Sequence, residues 1–194
     1  MRFTIQAKFL KSADEEIPIV EEEQAYSSKG TSLTPKQMRT GKPGLFNKPL
    51  PWPIGGVVYD VGAGRLEMVE SLREWFKEMN VIYLPYDKFH GQGTFNTETE
   101  IELRKRKADV ATSSNLLNVI PERANRVAAV QRMWNGLKPG GTAYITVHRQ
   151  SGKQPGQTGP DAWQNHAVPK HYLDEIKEVF PNATIQGDLI IATK

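Results

Sequence analysis

An acid, a turn of bare backbone and a second acid stand in the first half of the chain, at a spacing that suits a nucleoside-type ligand. Residues 56–65 read Gly-Val-Val-Tyr-Asp-Val-Gly-Ala-Gly-Arg, a short apolar run that stops at Asp60 and enters a turn with little side-chain bulk. Gly62 and Gly64, with Ala63 between them, allow backbone angles closed to other residues and let a ligand lie against the main chain. A second apolar run, residues 81–84, leads to Pro85-Tyr86-Asp87, and a carboxylate at that strand tip can accept hydrogen bonds from both hydroxyls of a ribose. Dinucleotide enzymes share that arrangement, but their fingerprint needs a third glycine that Gly62-Ala63-Gly64-Arg65-Leu66-Glu67 lacks. Asp60 also favours a ligand with a positive end, because a buried carboxylate repels a pyrophosphate.

The elements that must position these residues follow from the pattern around them. The run from Val57 is apolar without alternation, as in a central parallel strand covered on both faces. Residues 66–79 place Leu66, Val69, Leu72, Phe76 and Met79 at helical spacing, so the free N–H groups of that helix point back at the glycine turn. Strand, helix, strand implies a parallel sheet with right-handed crossovers. Residues 88–107 predict a loop and a short helix, with no convincing third strand. Residues 108–113 predict a strand whose polar tip is Ser114-Asn115. Pro121 opens a helix that turns Val127, Val130, Met133, Trp134 and Leu137 inward, and Lys138-Pro139-Gly140-Gly141 stops it. Residues 142–148 predict the next strand, 149–160 a long exposed loop, 172–180 a helix, and 183–193 a closing β-hairpin around Gly187. Ahead of this domain, at 56–194, residues 1–55 read as an N-terminal arm or lid. It carries two short strands at 2–9 and 17–22, then a Gly-, Pro- and Lys-rich stretch.

At 194 residues the chain can bury a substantial core, and no apolar run approaches the roughly 20 residues that span a bilayer. The N-terminus lacks the pattern of a signal peptide, and there is no cysteine for disulfides or thiolate ligands, so a cytoplasmic protein is expected. The four histidines have no metal-ligand spacing, so no metal is expected. A formal charge of +3 is mild. Two basic groups, Lys29, Lys36, Arg39, Lys42 and Lys48 and the run Arg104-Lys105-Arg106-Lys107, read either as solvated segments or as a surface that tracks phosphates.

With these residues in view, the chain resembles a class I S-adenosylmethionine-dependent methyltransferase over residues 57–147, and more weakly as far as the C-terminal hairpin. Tyr59-Asp60-Val61-Gly62-Ala63-Gly64 is similar to that family's first motif, Asp87 to its ribose-binding acid, and Leu137-Lys138-Pro139-Gly140-Gly141-Thr142 to the turn before its fifth strand. Thr31-Ser32-Leu33, residues 114–120 and Asp161-Ala162-Trp163-Gln164-Asn165 are further similar to small methyltransferase-like proteins of phage and bacterial genomes, which would place the protein in the cytoplasm, or in the host's if phage-encoded. The resemblance implies a Rossmann-like α/β fold, mostly parallel with a C-terminal antiparallel hairpin and helices on both faces. It implies S-adenosyl-L-methionine as cofactor, with its methionine part beside Gly62, Ala63 and Gly64 and its ammonium near Asp60, directly or through water. Asp87 would hold the ribose, Tyr86 or Lys88 would flank the adenine, and Ser114 and Asn115 would line the place where methyl meets acceptor. Two departures stand out: Leu66 replaces a third glycine, and the weak third strand removes the usual source of an acid for the adenine amino group.

Methyl transfer from a sulfonium asks a protein mainly for alignment, and for a base where the acceptor must lose a proton. Enzymes that methylate base amines often carry an Asp/Asn-Pro-Pro-aromatic turn after the fourth strand. Here that place reads Ser113-Ser114-Asn115-Leu116, which disfavours an adenine-amino methylase, although Asn115 could supply a similar contact. His148 is the candidate general base, with a purely structural hydrogen bond as the alternative. Trp163 either stacks on a base or anchors its loop, and Asn118 reads as a loop cap. The leading function is methyl transfer to a nucleic acid or a small molecule, the acceptor and the oligomeric state being open. The alternatives are another reaction of the same cofactor, such as aminocarboxypropyl transfer or cofactor cleavage, and a non-catalytic binding protein on the same fold.

Overall fold

A strand buried along its whole length needs a partner on each edge and cover on each face, and β1 (Val57–Val61) has both. It pairs in parallel with β2 (Ile82–Tyr86) on one side and β3 (Ala108–Ser114) on the other. In the computed structural model, which describes residues 15–29, 35–148 and 153–194, β4 (Leu137–Thr146) continues the parallel set. β8 (Leu189–Thr193) and β7 (Thr184–Gln186) close it antiparallel, around Gly187 at φ 64°. The sheet order β2-β1-β3-β4-β8-β7 is the mostly parallel arrangement with a C-terminal hairpin that the sequence predicts.

Alternate residues of β1 face two cores. Val58 meets Val69, Leu72 and Phe76 of α2 (Leu66–Glu78) on one side of the sheet. Tyr59 and Val61 share the other core with Val130 and Met133 of α4 (Arg123–Gly136), and α5 (Pro169–Lys177) extends that core under β7 and β8 with Tyr172 and Ile176. Gly136 permits that approach, since a Cβ there would lie 2.4 Å from the Tyr59 ring. β2 is the edge, as the absence of a third strand requires. Pro85 suits an edge because it has no N–H to leave unpaired, and Thr99 of α3 (Asn96–Lys105) donates to the Pro85 carbonyl at 2.6 Å.

Several expectations change. Leu66, placed on the inward face from spacing, is 45% exposed, because the inward stripe of α2 begins at Met68 and Val69. Leu137 is buried in the first position of β4 rather than in the helix before it. The segment read as an exposed loop carries β5 (Gly156–Gly159), which folds back on β6 (Ala162–Gln164) as a separate two-stranded flap. The strand expected at 2–9 lies outside the described residues.

Residues 17–22 are extended without strand pairing, and side chains of a helix bond the two ends of the stretch. Asn135 on α4 donates to the Ile17 carbonyl and accepts from the Ile17 N–H, both at 2.8 Å, as a neighbouring strand would. Further along the same helix face Asn125 accepts from Glu22 N–H, and Glu122, just before the helix, accepts from Ala25 N–H. Residues 15–29 thus form a strap running antiparallel to α4 toward the strand tips. Asn135→Ala is expected to remove two backbone bonds and about 2 kcal/mol of strap docking. Limited proteolysis, cutting within residues 15–29 faster than in the parent, checks this.

The remaining arm carries α1 (Pro35–Thr40) and a 3-10 turn at Gly44–Asn47. Phe46 of that turn is buried among Trp52, Trp75 and Phe76, which ties the arm to α2.

Candidate functional site

The C-terminal ends of β1 to β4 open into a cavity of about 390 Å³. The turn after β1 forms its floor. Gly62 and Ala63 donate N–H to the Tyr86 carbonyl at 2.8 and 3.1 Å, which ties the first βα turn to the tip of β2. Gly62 and Gly64 have φ of 83° and 78°, where side chains are strained. A Cβ on Gly62 would also strike the Leu116 side chain at 2.8 Å, whereas one on Gly64 would meet nothing within 4 Å. The backbone at Gly64 therefore faces open space.

Asp87 joins the two turns. Its Oδ2 accepts from Gly64 N–H at 2.9 Å, while Oδ1 accepts from the N–H groups of Phe89 and His90 at 3.0 and 2.8 Å and lies 3.2 Å from His90 Nδ1. Burial opposes ionisation of this carboxyl. The hydrogen bonds from the His90 ring and from the His90 and Phe89 amides outweigh it and hold Asp87 below the usual carboxylate range.

Of the residues singled out in the sequence, Gly62, Ala63, Gly64, Tyr86, Asp87 and Lys88 line this cavity from one side. Ser114, Asn115 and His148 line it from the tips of β3 and β4. Asp60 does not. Its carboxylate accepts from Tyr83 Oη and Thr112 Oγ1, both at 2.6 Å, within the sheet, so the direct contact with a ligand ammonium gives way to an internal role. Neighbouring strands pair Asp60 with Pro85 and Thr112 in register, which sets Tyr83 and Thr112 beside it.

Burial pushes the Asp60 carboxyl up to about 6, against the two hydroxyl bonds that lower it. Raised above its unfolded value near 3.8, it contributes stability that is fully present below that value and lost as pH rises to about 6. Denaturant melts of the parent should therefore lose on the order of 2 to 3 kcal/mol from this group between acid and neutral pH, whereas Asp60→Asn should show a flatter profile over the same range.

The cavity's other wall escaped sequence reasoning. Glu21 of the strap bridges Lys88 at 2.9 Å and Arg132 at 3.0 Å, and the Arg132 guanidinium stacks 4.5 Å from the centre of the Tyr86 ring. Burial raises the Glu21 carboxyl, but its bonds to Lys88 and Arg132 prevail and leave it lowered. Lys88 is thus engaged by the strap. The sign of this wall in the sequence is the polar stripe Asn125, Arg132 and Asn135 on one face of α4.

The far corner is held by amides. Asn118, buried, accepts from His148 N–H at 3.0 Å and donates to Gln164 Oε1 at 3.0 Å, so it bridges the end of β4 to the flap rather than capping its own loop. Asn165 donates to the carbonyls of Leu117 and Ile120, and Trp163 donates to Asn165 Oδ1 at 2.8 Å while its ring meets Tyr26. Trp163 therefore anchors the flap to the strap. Asp161 completes the seam by accepting from Ser27 and, through its carbonyl, from Ser28 N–H at 2.9 Å.

The basic run at the end of α3 is locally occupied: Lys105 and Arg106 pair with Glu102, and Lys107 with Glu16. In the arm, Lys48 pairs with Asp188 and Lys42 lies over Trp75. Among the described residues no group of His, Asp and Glu is arranged to hold a metal ion, and no helix is long and apolar enough to cross a membrane.

Comparison with solved structures identifies the architecture. A 1,6-didemethyltoxoflavin-N1-methyltransferase of Burkholderia thailandensis, solved with S-adenosylhomocysteine, superposes with a TM-score of 0.52 at 14% identity over 81% of this chain and 74% of its own. An amino pentose methyltransferase of Micromonospora echinaspora matches at a TM-score of 0.41 and 14% identity over 71% and 83% of the two chains. The chain spans about half the length of several other matching structures. No protein-family model matches, and no curated protein does. The fold is thus the Rossmann-like fold of class I S-adenosylmethionine-dependent methyltransferases. The likeness to phage proteins draws no support from these matches.

Proposed function

We propose that the chain is an S-adenosylmethionine-dependent methyltransferase whose cofactor lies along the turn after β1. One observation carries the reading: the Asp87 carboxylate, fastened to Gly64 N–H and to the amides of Phe89 and His90, sits at the mouth of a cavity whose floor is bare backbone. Oδ1 is filled by the amides of Phe89 and His90, and Oδ2, which accepts only from Gly64 N–H, keeps a lone pair for a ribose hydroxyl. Gly64, where a Cβ would touch nothing, leaves room for the methionine part against the main chain. The bound S-adenosylhomocysteine of the Burkholderia structure, on the same fold, supports this choice of ligand.

When bound, S-adenosylmethionine supplies a sulfonium methyl whose carbon is attacked by an acceptor lone pair while the C–S electrons return to sulfur, leaving a neutral thioether. The protein's own part is alignment. Tyr86 and Lys88 border the adenine end, where the strap residue Glu21 occupies the side that a third strand would supply. Ser114 and Asn115 border the acceptor, and His148 is placed to take its proton where one is lost. Asp60 holds the tips of β1, β2 and β3 together through Tyr83 and Thr112. The arm, through residues 21–28, forms the lid of the cavity.

Calorimetry with S-adenosylmethionine and S-adenosylhomocysteine tests the binding, since both should bind in the micromolar range or tighter. Mass analysis of the cofactor after turnover tests the reaction. S-adenosylhomocysteine is the expected product; methylthioadenosine or homoserine lactone would instead mean breakage of another bond, and failure of both ligands to bind would end the proposal.

A further inference from the structure

At the corner where the flap meets the tips of β3 and β4, four cavity-lining side chains carry polar atoms that the protein leaves unused. Ser28 Oγ is buried without a hydrogen-bond partner. Among the described residues, the Asn115 carboxamide, the Gln164 amide nitrogen and the His148 ring also have none. A chain of bonds places these groups together. Ser28 N–H reaches the Asp161 carbonyl in the flap, Gln164 ends that flap, Asn118 ties Gln164 to His148, and Asn115 opens the same loop. Buried polar groups are nearly always satisfied, so the buried Ser28 Oγ calls for a partner, and the half-buried Asn115 and Gln164 amides beside it open to the same space.

Backbone strain marks the same corner. Ser28 and Asn115 have φ of 56° and 58°, in the left-handed region that non-glycine residues adopt at a cost. Both are pinned there, Ser28 by the Asp161 carbonyl and Asn115 by donation to the Thr146 carbonyl at 2.9 Å. Among the described residues the other two non-glycine residues at positive φ, Asn80 and His166, lie outside the cavity.

The corner also lacks formal charge. The charged groups around the cavity are already engaged: Glu21 with Lys88 and Arg132, Asp87 with His90, and Arg65 with the Lys29 carbonyl. An ionised acceptor would lose its water here and meet no counter-charge. A carboxamide offers a donor and an acceptor side by side, and pairs in two bonds with a ring that presents N–H beside C=O. The strap and flap, sewn together through Asp161, roof the corner and favour a small molecule over a polymer.

We infer that this corner is the acceptor subsite and takes a small, uncharged lactam-type heterocycle, read by Asn115 and Gln164 and by the strap hydroxyl of Ser28. This rests on the methyltransferase reading. The protein is first titrated with S-adenosylhomocysteine, whose failure to bind would strike that reading itself. The saturated complex is then titrated with uracil, pyridone, benzoate and a short single-stranded DNA. The two lactams should bind and the other two should not. Ser28→Gly and Asn115→Gly suit the left-handed backbone and delete only the polar group, so each should weaken the lactams about tenfold while S-adenosylhomocysteine affinity after Ser28→Gly stays as in the parent. Absence of lactam binding, benzoate or DNA binding as tightly as the lactams, or unchanged lactam affinity in both variants would overturn the inference.

Discussion

Asp87→Ala is expected to lower affinity for S-adenosylhomocysteine by about ten- to a hundredfold in calorimetry. The hydrogen bond that Oδ2 can take from a ribose hydroxyl is lost, and a bond to an ionised group contributes about 1.5 to 3 kcal/mol. The same change removes the acceptor of Gly64, Phe89 and His90 N–H, so the glycine turn keeps only the Gly62 and Ala63 bonds to the Tyr86 carbonyl as its tie to the tip of β2. Water reaches these groups, which keeps the stability loss to about 2 kcal/mol in denaturant melts. Asp87→Asn should keep more stability but little affinity, because its amide nitrogen must face either Gly64 N–H or the amides of Phe89 and His90, donor against donor. The pH dependence has a definite sign. A carboxyl held below its ordinary range contributes stability above its unfolded value and loses it as pH falls through its lowered folded value, so this tie should persist through neutral pH and fail only in acid.

A second large effect is expected far from the ligand, at Arg126. Its guanidinium forms two bonds to Glu175, at 2.8 and 2.7 Å, and donates to the carbonyls of Ile120 and Pro121 at 3.0 and 2.7 Å, with both side chains of the pair almost wholly buried. Removing one partner strands the other as a buried charge. Arg126→Ala or Glu175→Ala should therefore cost about 3 to 5 kcal/mol in urea melts. The double change Arg126→Met with Glu175→Leu should recover most of that, because apolar side chains of similar volume need no counter-charge. Arg126 also fixes the turn that presents Val119 and Ile120 to the cavity, so the double variant should fold yet bind acceptor less well.

The two predictions differ in what made them visible. Asp87 and the Gly62 to Gly64 turn stand close in sequence, and each answers a local demand: a backbone angle, a strand tip, a helix start. Local demands of this kind are legible in residue types and spacing, and so were the central strands, whose unbroken apolar runs require cover on both faces. The missing third strand was legible too, since residues 88–107 lack an apolar run and Pro85 suits an edge. Arg126 with Glu175, and Glu21 with Lys88 and Arg132, join positions far apart in the chain. No local pattern announces such pairs.

By itself, then, the sequence determined a mostly parallel sheet, its closing hairpin, and a glycine turn between two acidic strand tips. Only the tertiary structure decided that Asp60 turns into the sheet while Asp87 serves the cavity, because the orientation of a carboxylate depends on which hydroxyls the neighbouring strands set beside it. It also decided that residues 17–22 are a strap rather than a strand. An extended backbone takes its partners wherever they lie, and here they are the Asn125 and Asn135 side chains of a helix more than 100 positions away. The cavity's walls are products of that docking, which is why its floor could be read from the chain and its roof could not.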